Sequence, residues 1–331
     1  MGRFVSLRGP FRQESGQPAP ILAQAGMAGE PPANDPLNRL DKLRQLLRVN
    51  RIRKLGAQTQ RAPQGRGIAL ALGGGAARGW AHIGALRVLQ EEGIALDAVA
   101  GTSIGALAAL CLAADRLDVL EKLALSTTHR RVLAYLDPHL GRGAWLGGRR
   151  IARELNLHFG SLQLENLPIP IALIAADLQT AEEVRLTTGP AISAVQASIG
   201  LPGLFRPILR DGRLLIDGGM VANVPIGAVR ALAPTRPVVA IDLMGDYAGY
   251  IRASTHDGQR SALGTIRSAF LMMTTQMTRQ AIALDPPDVM ITIPAGHIGT
   301  GAFTRAAELI RLGRQAVTEA LPAIRAALEQ A

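Results

Sequence analysis

One serine of the chain stands in a setting typical of a catalytic nucleophile. The segment Gly101–Gly105 reads GTSIG, with Ser103 at its centre. The run Ala98–Ala100 before it predicts a strand, and the all-apolar run Ile104–Ala113 after it predicts a buried helix. In a sharp strand-to-helix turn, glycines relieve crowding and the serine hydroxyl is presented at the positive end of the helix. The pattern favours a nucleophile, and a serine that only caps the helix is the alternative.

A second glycine-rich segment, Gly73–Gly79, follows the apolar run Ile68–Leu72 and opens another helical pattern. It lacks the Lys-Ser/Thr ending of a P-loop, and as a dinucleotide fingerprint it is incomplete because Arg78 stands where the last glycine belongs. The third use of such a loop is an oxyanion hole, in which backbone amides converge on a developing negative charge. Ser103 lies one strand–helix–strand unit downstream, so we expect both loops at the same end of neighbouring parallel strands.

A nucleophilic serine needs a base, and one aspartate lies at a suitable strand end. The run Leu214–Ile216 predicts a strand, and Asp217–Gly219 follows it with the letters DGG. A tight glycine turn would present the Asp217 carboxylate there as a general base. On spacing alone, an ordinary Asp-Gly turn is the alternative. A histidine base is less favoured because none of the six histidines lies in a turn signature: His82, His129, His139, His158, His256 and His297.

The elements that must position these residues alternate between strand and helix patterns from Gly67 onward. Further strands are predicted at 169–175, 184–186, 214–216, 238–243 and 289–293. Helices are predicted after the glycine loop and at 118–127, 148–158, 190–198, 226–232, 260–284 and 303–328. Such alternation predicts an α/β domain built around a mainly parallel central sheet.

The bulk composition narrows the class of protein. With 331 residues, 48% of them hydrophobic and 3% aromatic, the chain can build a substantial and mainly aliphatic core. The single cysteine, Cys111, excludes an internal disulfide and four-cysteine metal sites. No apolar run reaches the roughly 18 residues of a membrane span, and no secretory signal is recognisable at the start. We therefore expect a cytoplasmic protein.

The net charge of +10 is concentrated near the N-terminus. Residues 1–66 hold 12 Lys and Arg against 4 Asp and Glu, whereas residues 67–331 hold 24 against 22. This distribution argues against a nucleic-acid-binding face on the main domain. Residues 1–34 show no sustained period and are predicted to be disordered, and residues 35–55 predict a basic amphipathic helix. That helix could contact an anionic membrane peripherally or pack on the main domain.

The sequence resembles the patatin-like phospholipases, particularly the small bacterial members of that family. The resemblance runs from about residue 67 to about residue 295. It divides the chain into a basic leader at 1–66 and an acyl hydrolase domain at 67–331. The matching segments occur in the order of the family: Gly73–Gly79, Gly101–Gly105, Asp177, Ala197–Pro207, Asp217–Gly219 and Asn223–Pro225.

The resemblance implies a three-layer α/β/α fold, with helices on both faces of the sheet, and hydrolysis of fatty-acyl esters of phospholipids or neutral lipids. Carried over, Ser103 is the nucleophile and Asp217 the base of a Ser-Asp dyad that needs no metal and no cofactor. The amides of Gly74, Gly75 and Ala76 would form the oxyanion hole. Arg78 would bind a head group or brace the loop. The motif positions that support these groups are Gly73, Arg78, Gly79, Gly101, Gly105, Gly218 and Gly219.

The sequence therefore predicts a lipid acyl hydrolase whose partner is a lipid ester, with no nucleic acid partner and with the oligomeric state open. Three other functions compete with this one. An α/β-hydrolase esterase would combine Ser103 and Asp217 with His256 or His297 in a triad. A non-catalytic regulatory protein would keep the fold without the reaction. A nucleotide-binding protein would use the glycine loop for phosphate, and it is the least favoured.

Overall fold

The computed structural model of the chain describes residues 67–136, 138–141, 144–146, 149–253 and 261–331. These residues belong to one compact unit that spans Arg61–Ala331. The predictions for the leader at 1–66, including its helix, lie outside the described residues, and so does His256. Within the described ranges, no helix combines the length and the apolar character needed to cross a lipid bilayer.

Strands and helices alternate along the described residues. The strands are β1 (Ile68–Leu72), β2 (Leu96–Thr102), β3 (Pro138–Gly141), β4 (Ala144–Leu146), β5 (Ile171–Asp177), β6 (Glu183–Leu186), β7 (Ile208–Arg210), β8 (Arg213–Asp217), β9 (Val238–Asp242) and β10 (Val289–Thr292). The helices are α1 (Ala81–Glu91), α2 (Ile104–Ala113), α3 (Leu117–Leu125), α4 (His129–Leu136), α5 (Arg149–Phe159), α6 (Ala191–Ser198), α7 (Ile226–Leu232), α8 (Tyr247–Ala253), α9 (Ala262–Leu284) and α10 (Ala306–Gln330).

Eight of these strands form the central sheet, in the order β10-β9-β1-β2-β5-β8-β7, with β6 also paired to β5. The five strands β10, β9, β1, β2 and β5 run parallel to one another. Strands β6 and β8 pair antiparallel with β5, and β7 pairs antiparallel with β8. The prediction of a mainly parallel sheet is therefore confirmed. Leu72 pairs with Gly101, so the glycine loop and the serine turn leave β1 and β2 at the same end of the sheet, as expected.

The register on β5 brings two distant segments together. The last residue of β2, Thr102, pairs with Ile174, and the last residue of β8, Asp217, pairs with Ala175. Because β6 occupies the other edge of β5 over the same residues, β2 and β8 must share one edge and meet end to end. This meeting of two strand ends places the residue after Thr102 beside Asp217.

The core has two parts because the sheet is covered on both faces. In β1, Ile68, Leu70 and Leu72 point into a large aliphatic cluster that includes side chains of α1, α2 and α10. The alternate residues Ala69 and Ala71 belong to a second cluster, which α7 covers. The period of two along the strand thus separates a bulky face from an alanine-rich face. This arrangement confirms helices on both faces of the sheet.

Helices α1 and α10 pack closely through glycine. A Cβ atom on Gly84 would lie 1.9 Å from the carbonyl oxygen of Ile310, and one on Gly313 would lie 1.9 Å from that of Ala81. The two backbones therefore approach more closely than any side chain at either position would allow. This contact holds α10 over the bulky face of the sheet.

The predicted elements are present within a few residues of their expected ends. The structure adds β3, β4, β7, α4 and α8, which the sequence pattern does not predict. Each of these elements is eight residues or shorter, so none contains enough repeats to establish a strand or helix period.

Candidate active site

Ser103 sits in a strained turn between β2 and α2. Its backbone has φ 56° and ψ −123°, a left-handed conformation that costs a residue with a side chain about 1–3 kcal/mol. The flanking glycines are required by close contacts. A Cβ on Gly101 would lie 2.3 Å from the Gly105 carbonyl oxygen, and one on Gly105 would lie 2.2 Å from that of Leu72. The turn holds the serine hydroxyl out from the end of the sheet.

The Ser103 hydroxyl donates a hydrogen bond directly to a carboxylate. The distance from Ser103 Oγ to Asp217 Oδ2 is 2.6 Å. The other oxygen, Oδ1, accepts a hydrogen bond from the Gly219 amide at 2.8 Å, which fixes the carboxylate orientation. Asp217 is only 2% exposed. The structure therefore brings together the serine and the aspartate that the sequence singles out.

Burial changes the acidity of this carboxylate. Removal from water raises the pKa of Asp217 from its usual 3.8 to about 6, because the charged form loses hydration. The hydrogen bonds from Ser103 and Gly219 oppose this shift by stabilising the anion. A carboxylate with a pKa near neutrality is a better proton acceptor than an exposed one and is still ionised at pH 7.

The glycine loop contributes two free backbone donors rather than three. The Gly74 amide, one of the three predicted oxyanion donors, already donates to the Asn223 carbonyl oxygen at 3.0 Å. The amides of Gly75 and Ala76 donate to no protein acceptor in the part of the chain that the structure describes. Ala76 has φ 49°, another strained conformation within the loop. The geometry thus narrows the candidate oxyanion hole to Gly75 and Ala76.

A cavity of about 340 Å³ opens over these groups. Gly75, Ala76, Ser103 and Asp217 all line it. The lining is mainly apolar and also includes Leu201, Tyr250, Phe270, Leu271 and Thr274. The cavity therefore joins a polar reactive end to a surface that suits a hydrocarbon group.

Arg78 braces the loop from inside the protein. It is 1% exposed, and its guanidinium donates to the carbonyl oxygens of Ile298 at 2.8 Å and Gly296 at 3.0 Å. Burial lowers the pKa of Arg78, while the negative charges of Asp246 and Asp242 oppose the shift. These bonds favour the bracing role over head-group binding, because the guanidinium is engaged with the protein.

Two histidines of the described residues lie near the site, and both contact other groups. His82 is fully buried, its Nε2 lies 2.8 Å from the Gly73 carbonyl oxygen, and burial lowers its pKa to about 4. It is therefore neutral at pH 7. His297 lines the cavity but contacts Glu308, with 3.2 Å between Nε2 and Oε1. The position beside the Ser103 hydroxyl is held by Asp217.

Two polar residues of the site, Ser198 and Asn223, are not predicted individually from the sequence. Ser198 Oγ accepts a hydrogen bond from the Ser103 amide at 2.9 Å and donates to the Ile174 carbonyl oxygen at 2.5 Å, so it ties the turn to β5. Asn223 is 8% exposed and lines the cavity, and its Nδ2 has no hydrogen-bond partner among the described residues. The only sequence signal for either residue was the family-like segment around it.

The described residues contain no group of three or more His, Cys, Asp or Glu side chains placed to hold a metal ion. Cys111, the single cysteine, is buried in α2.

Comparison with known proteins identifies the domain. The patatin-like phospholipase family model matches residues 70–230. An uncharacterized NTE family protein of Mycobacterium tuberculosis is 38% identical over 185 residues, which are 56% of this chain and 51% of that protein. The neuropathy target esterase sws of Drosophila melanogaster is 34% identical over 185 residues, which are 54% of this chain and 13% of that protein.

Among solved structures, VipD from Legionella pneumophila aligns with a TM-score of 0.44 and 15% identity, over 80% of this chain and 67% of that one. The chain spans about half the length of the first curated relatives that it matches. The family match confirms the resemblance drawn from the motifs. The chain carries a patatin-like phospholipase domain at residues 70–230.

Proposed function

We propose that this domain is a serine acyl hydrolase that cleaves fatty-acyl esters of phospholipids or other lipids. Ser103 is the nucleophile and Asp217 is the general base of a catalytic dyad. The observation that carries the proposal is the 2.6 Å hydrogen bond from Ser103 Oγ to Asp217 Oδ2, at the wall of a cavity. The family match and the names of the relatives, a phospholipase family and an esterase, support the same reaction class.

In the first half of the reaction, Asp217 takes the hydroxyl proton as Ser103 Oγ attacks the ester carbonyl carbon. The carbonyl oxygen becomes an oxyanion, and the amides of Gly75 and Ala76 donate hydrogen bonds to it. The tetrahedral intermediate then collapses, the ester C–O bond breaks, and Asp217 returns the proton to the leaving alcohol. The products of this half-reaction are the free alcohol and an acyl-serine.

In the second half, the same carboxylate removes a proton from a water molecule, whose oxygen attacks the acyl-serine. The oxyanion forms again at the same two amides. Collapse of this intermediate releases the fatty acid, and Asp217 gives the proton back to Ser103 Oγ. No histidine is needed, because one carboxylate with a pKa near 6 accepts and donates the proton in turn.

The substrate class follows from the walls of the cavity. The apolar side chains of Leu201, Phe270 and Leu271 suit an acyl chain rather than a charged group. The unpartnered Nδ2 of Asn223 is a donor within the same cavity, and we assign it to an oxygen of the substrate. Together these groups favour an ester with one long hydrocarbon part and a polar part near Ser103.

The test is a panel of lipid and simple esters, assayed with the wild-type protein, Ser103→Ala and Asp217→Asn. We expect the wild type to release fatty acid, with a rate that rises as the pH increases through about 6 because Asp217 must be ionised. Both variants should lose at least about 100-fold in kcat/KM. A wild-type protein that hydrolyses no ester in the panel would favour the non-catalytic regulatory function.

A further inference from the structure

Helix α9 exposes a row of large apolar residues, which is unusual for a helix that meets only water. Five large apolar residues form one outer stripe, with spacings of four, three, four and seven residues, and they are 40–88% exposed: Ile266, Phe270, Met273, Met277 and Leu284. At 3.6 residues per turn these positions fall within an arc of about 60° and extend over about 27 Å. We call this set the outer stripe.

The buried side of α9 includes three threonines beside apolar residues such as Leu271, which is 3% exposed. Thr274, Thr275 and Thr278 are 4–6% exposed. Their hydroxyl groups need no outside partner, because each donates to the carbonyl oxygen four residues earlier, at 2.7–3.0 Å. A helix that faced only water would place these threonines outside and the methionines inside. The exposure of this apolar row, while threonines are buried, indicates that an apolar environment meets the outer stripe.

The outer stripe is continuous with the candidate active site. Phe270 belongs to the stripe and also lines the cavity that contains Ser103. Helix α8 lies on the same rim, since Tyr250 lines the cavity and its hydroxyl is 2.7 Å from Ser268 Oγ on α9. Ile251 of α8 adds another large apolar residue that is 46% exposed. The apolar surface therefore begins at the rim of the cavity.

The charge of these two helices points to the nature of the partner. Helix α9 contains two arginines and no acidic residue over its 23 positions, and α8 contains one arginine and no acidic residue. Apolar side chains accompanied by cations alone are typical of helices that lie in the interface of an anionic bilayer. A site for esters of long-chain acids also requires access to lipid that is aggregated rather than dissolved.

We propose that the outer stripe of α9 docks the domain on an anionic lipid surface, with the rim of the Ser103 cavity against the lipid. The partner class rests on the proposed lipid hydrolase function, whereas the docking itself rests on exposure and charge. The stripe would lie along the interface, and Phe270 would mark the point at which an acyl chain leaves the bilayer for the cavity.

The test uses the full chain carrying Ser103→Ala, so that lipid binding is measured without hydrolysis. Cys111 is 1% exposed, which allows one introduced thiol to be labelled selectively with an environment-sensitive fluorophore. Met273→Cys places the label on the outer stripe, and Leu157→Cys is the matched control because the two native side chains have similar exposure, 59% and 61%. Vesicles of phosphatidylcholine with phosphatidylglycerol supply the anionic surface.

We expect the label at 273 to shift to shorter wavelength when vesicles are added, and the label at 157 to stay unchanged. An unshifted label at 273, or an equal shift at both positions, would overturn the proposal. A shift without vesicles that grows with protein concentration would instead make the stripe a contact between two copies. A label at 273 that is already shielded in dilute protein would mean that the chain covers its own stripe.

A second measurement connects docking to activity. In the active protein, Ile266→Gln with Met273→Gln should lower the ratio of vesicle-lipid to soluble-ester hydrolysis about tenfold, since two apolar side chains no longer enter the interface. Leu125→Gln with Leu157→Gln is the control and should preserve that ratio, and equal effects of the two pairs would contradict docking by α9. If the wild type hydrolyses no ester while the label at 273 still reports lipid, the function fails and the docking stands.

Discussion

Among the single residues of the site, Asp217 combines burial with a charge that the proposed reaction needs. Asp217 is buried, which makes its ionised form costly, and the proposed base catalysis on Ser103 requires that form. The hydrogen bond from Gly219 recovers part of the lost hydration, but the pKa still rises to about 6. The charge that the proposed reaction needs at this position therefore lowers the stability of the folded protein.

This cost predicts a pH-dependent stability difference between the wild type and Asp217→Asn. The folded pKa of about 6 exceeds the usual value of 3.8, so the cost of the buried charge is absent below pH 3.8 and complete above pH 6. Asparagine has the same shape and carries no charge. We expect Asp217→Asn to be more stable than the wild type above pH 6, by up to about 3 kcal/mol, and equally stable near pH 4.

Urea unfolding of both proteins at several pH values between 4 and 8 measures this difference. Ser103→Ala serves as the control for loss of the hydrogen bond alone. A stability difference that stays constant across this range would show that the Asp217 carboxylate is not held in the environment described.

The sequence predicted the identity of these two residues but not the interactions around them. Ser103 could be recognised from local letters, because a glycine-flanked turn between a strand and a helix is a short-range pattern. Asp217 was supported by resemblance, since its contact with Ser103 depends on how β2 and β8 share an edge of β5. The Gly74 amide illustrates what a motif cannot reveal, because its acceptor lies on Asn223, far along the chain.

At the scale of elements, close backbone contacts determine where helices can lie. The sequence predicted α10 as a long C-terminal helix but did not indicate its partner, because any apolar face can pack against several surfaces. In the structure the partner of α10 is α1, because Gly84 and Gly313 allow the two backbones to touch. For helix α9 the sequence predicted the helix but not the residues that it exposes, since three threonines are buried while Met273 and Met277 are exposed.

The contact between α1 and α10 predicts a strong effect of a single methyl group. In Gly313→Ala the added Cβ would meet the Ala81 carbonyl oxygen at 1.9 Å, so the helices must separate. We expect a loss of about 1–3 kcal/mol in the free energy of unfolding, measured by urea denaturation. Gly301→Ala is the control, because no atom lies within 4 Å of its added Cβ. Equal stability of the two variants would contradict the packing of α10 on α1.

In the molecule as a whole, the uneven charge suggests that the leader and the domain contribute differently to lipid binding. Residues 1–66 hold most of the net positive charge, and the domain that follows is nearly neutral. The leader would supply long-range attraction to an anionic surface, and the outer stripe would supply the apolar contact. These two contributions differ in their response to salt, because ions screen charge but do not weaken apolar burial.

This difference predicts that the leader accounts for most of the salt-sensitive part of vesicle binding. The full chain should bind anionic vesicles more weakly as ionic strength rises, whereas binding of a chain starting at Gly67 should depend less steeply on salt, because only the arginines of α8 and α9 remain beside the outer stripe. Co-sedimentation with vesicles at low and high salt measures both, and neutral vesicles are the control surface. Equal binding of the two chains at low salt would refute the contribution of the leader.

The proposed mechanism makes Ser103 a nucleophile that is activated by Asp217 and by no histidine. It is tested most directly by the rate at which a fluorophosphonate probe modifies the protein, with the site of modification located by peptide mass spectrometry. We predict a single adduct on Ser103, labelling at least about 100-fold slower in Asp217→Asn, and wild-type rates in His256→Ala and His297→Ala. An adduct elsewhere, or loss of labelling in either histidine variant, would contradict the account.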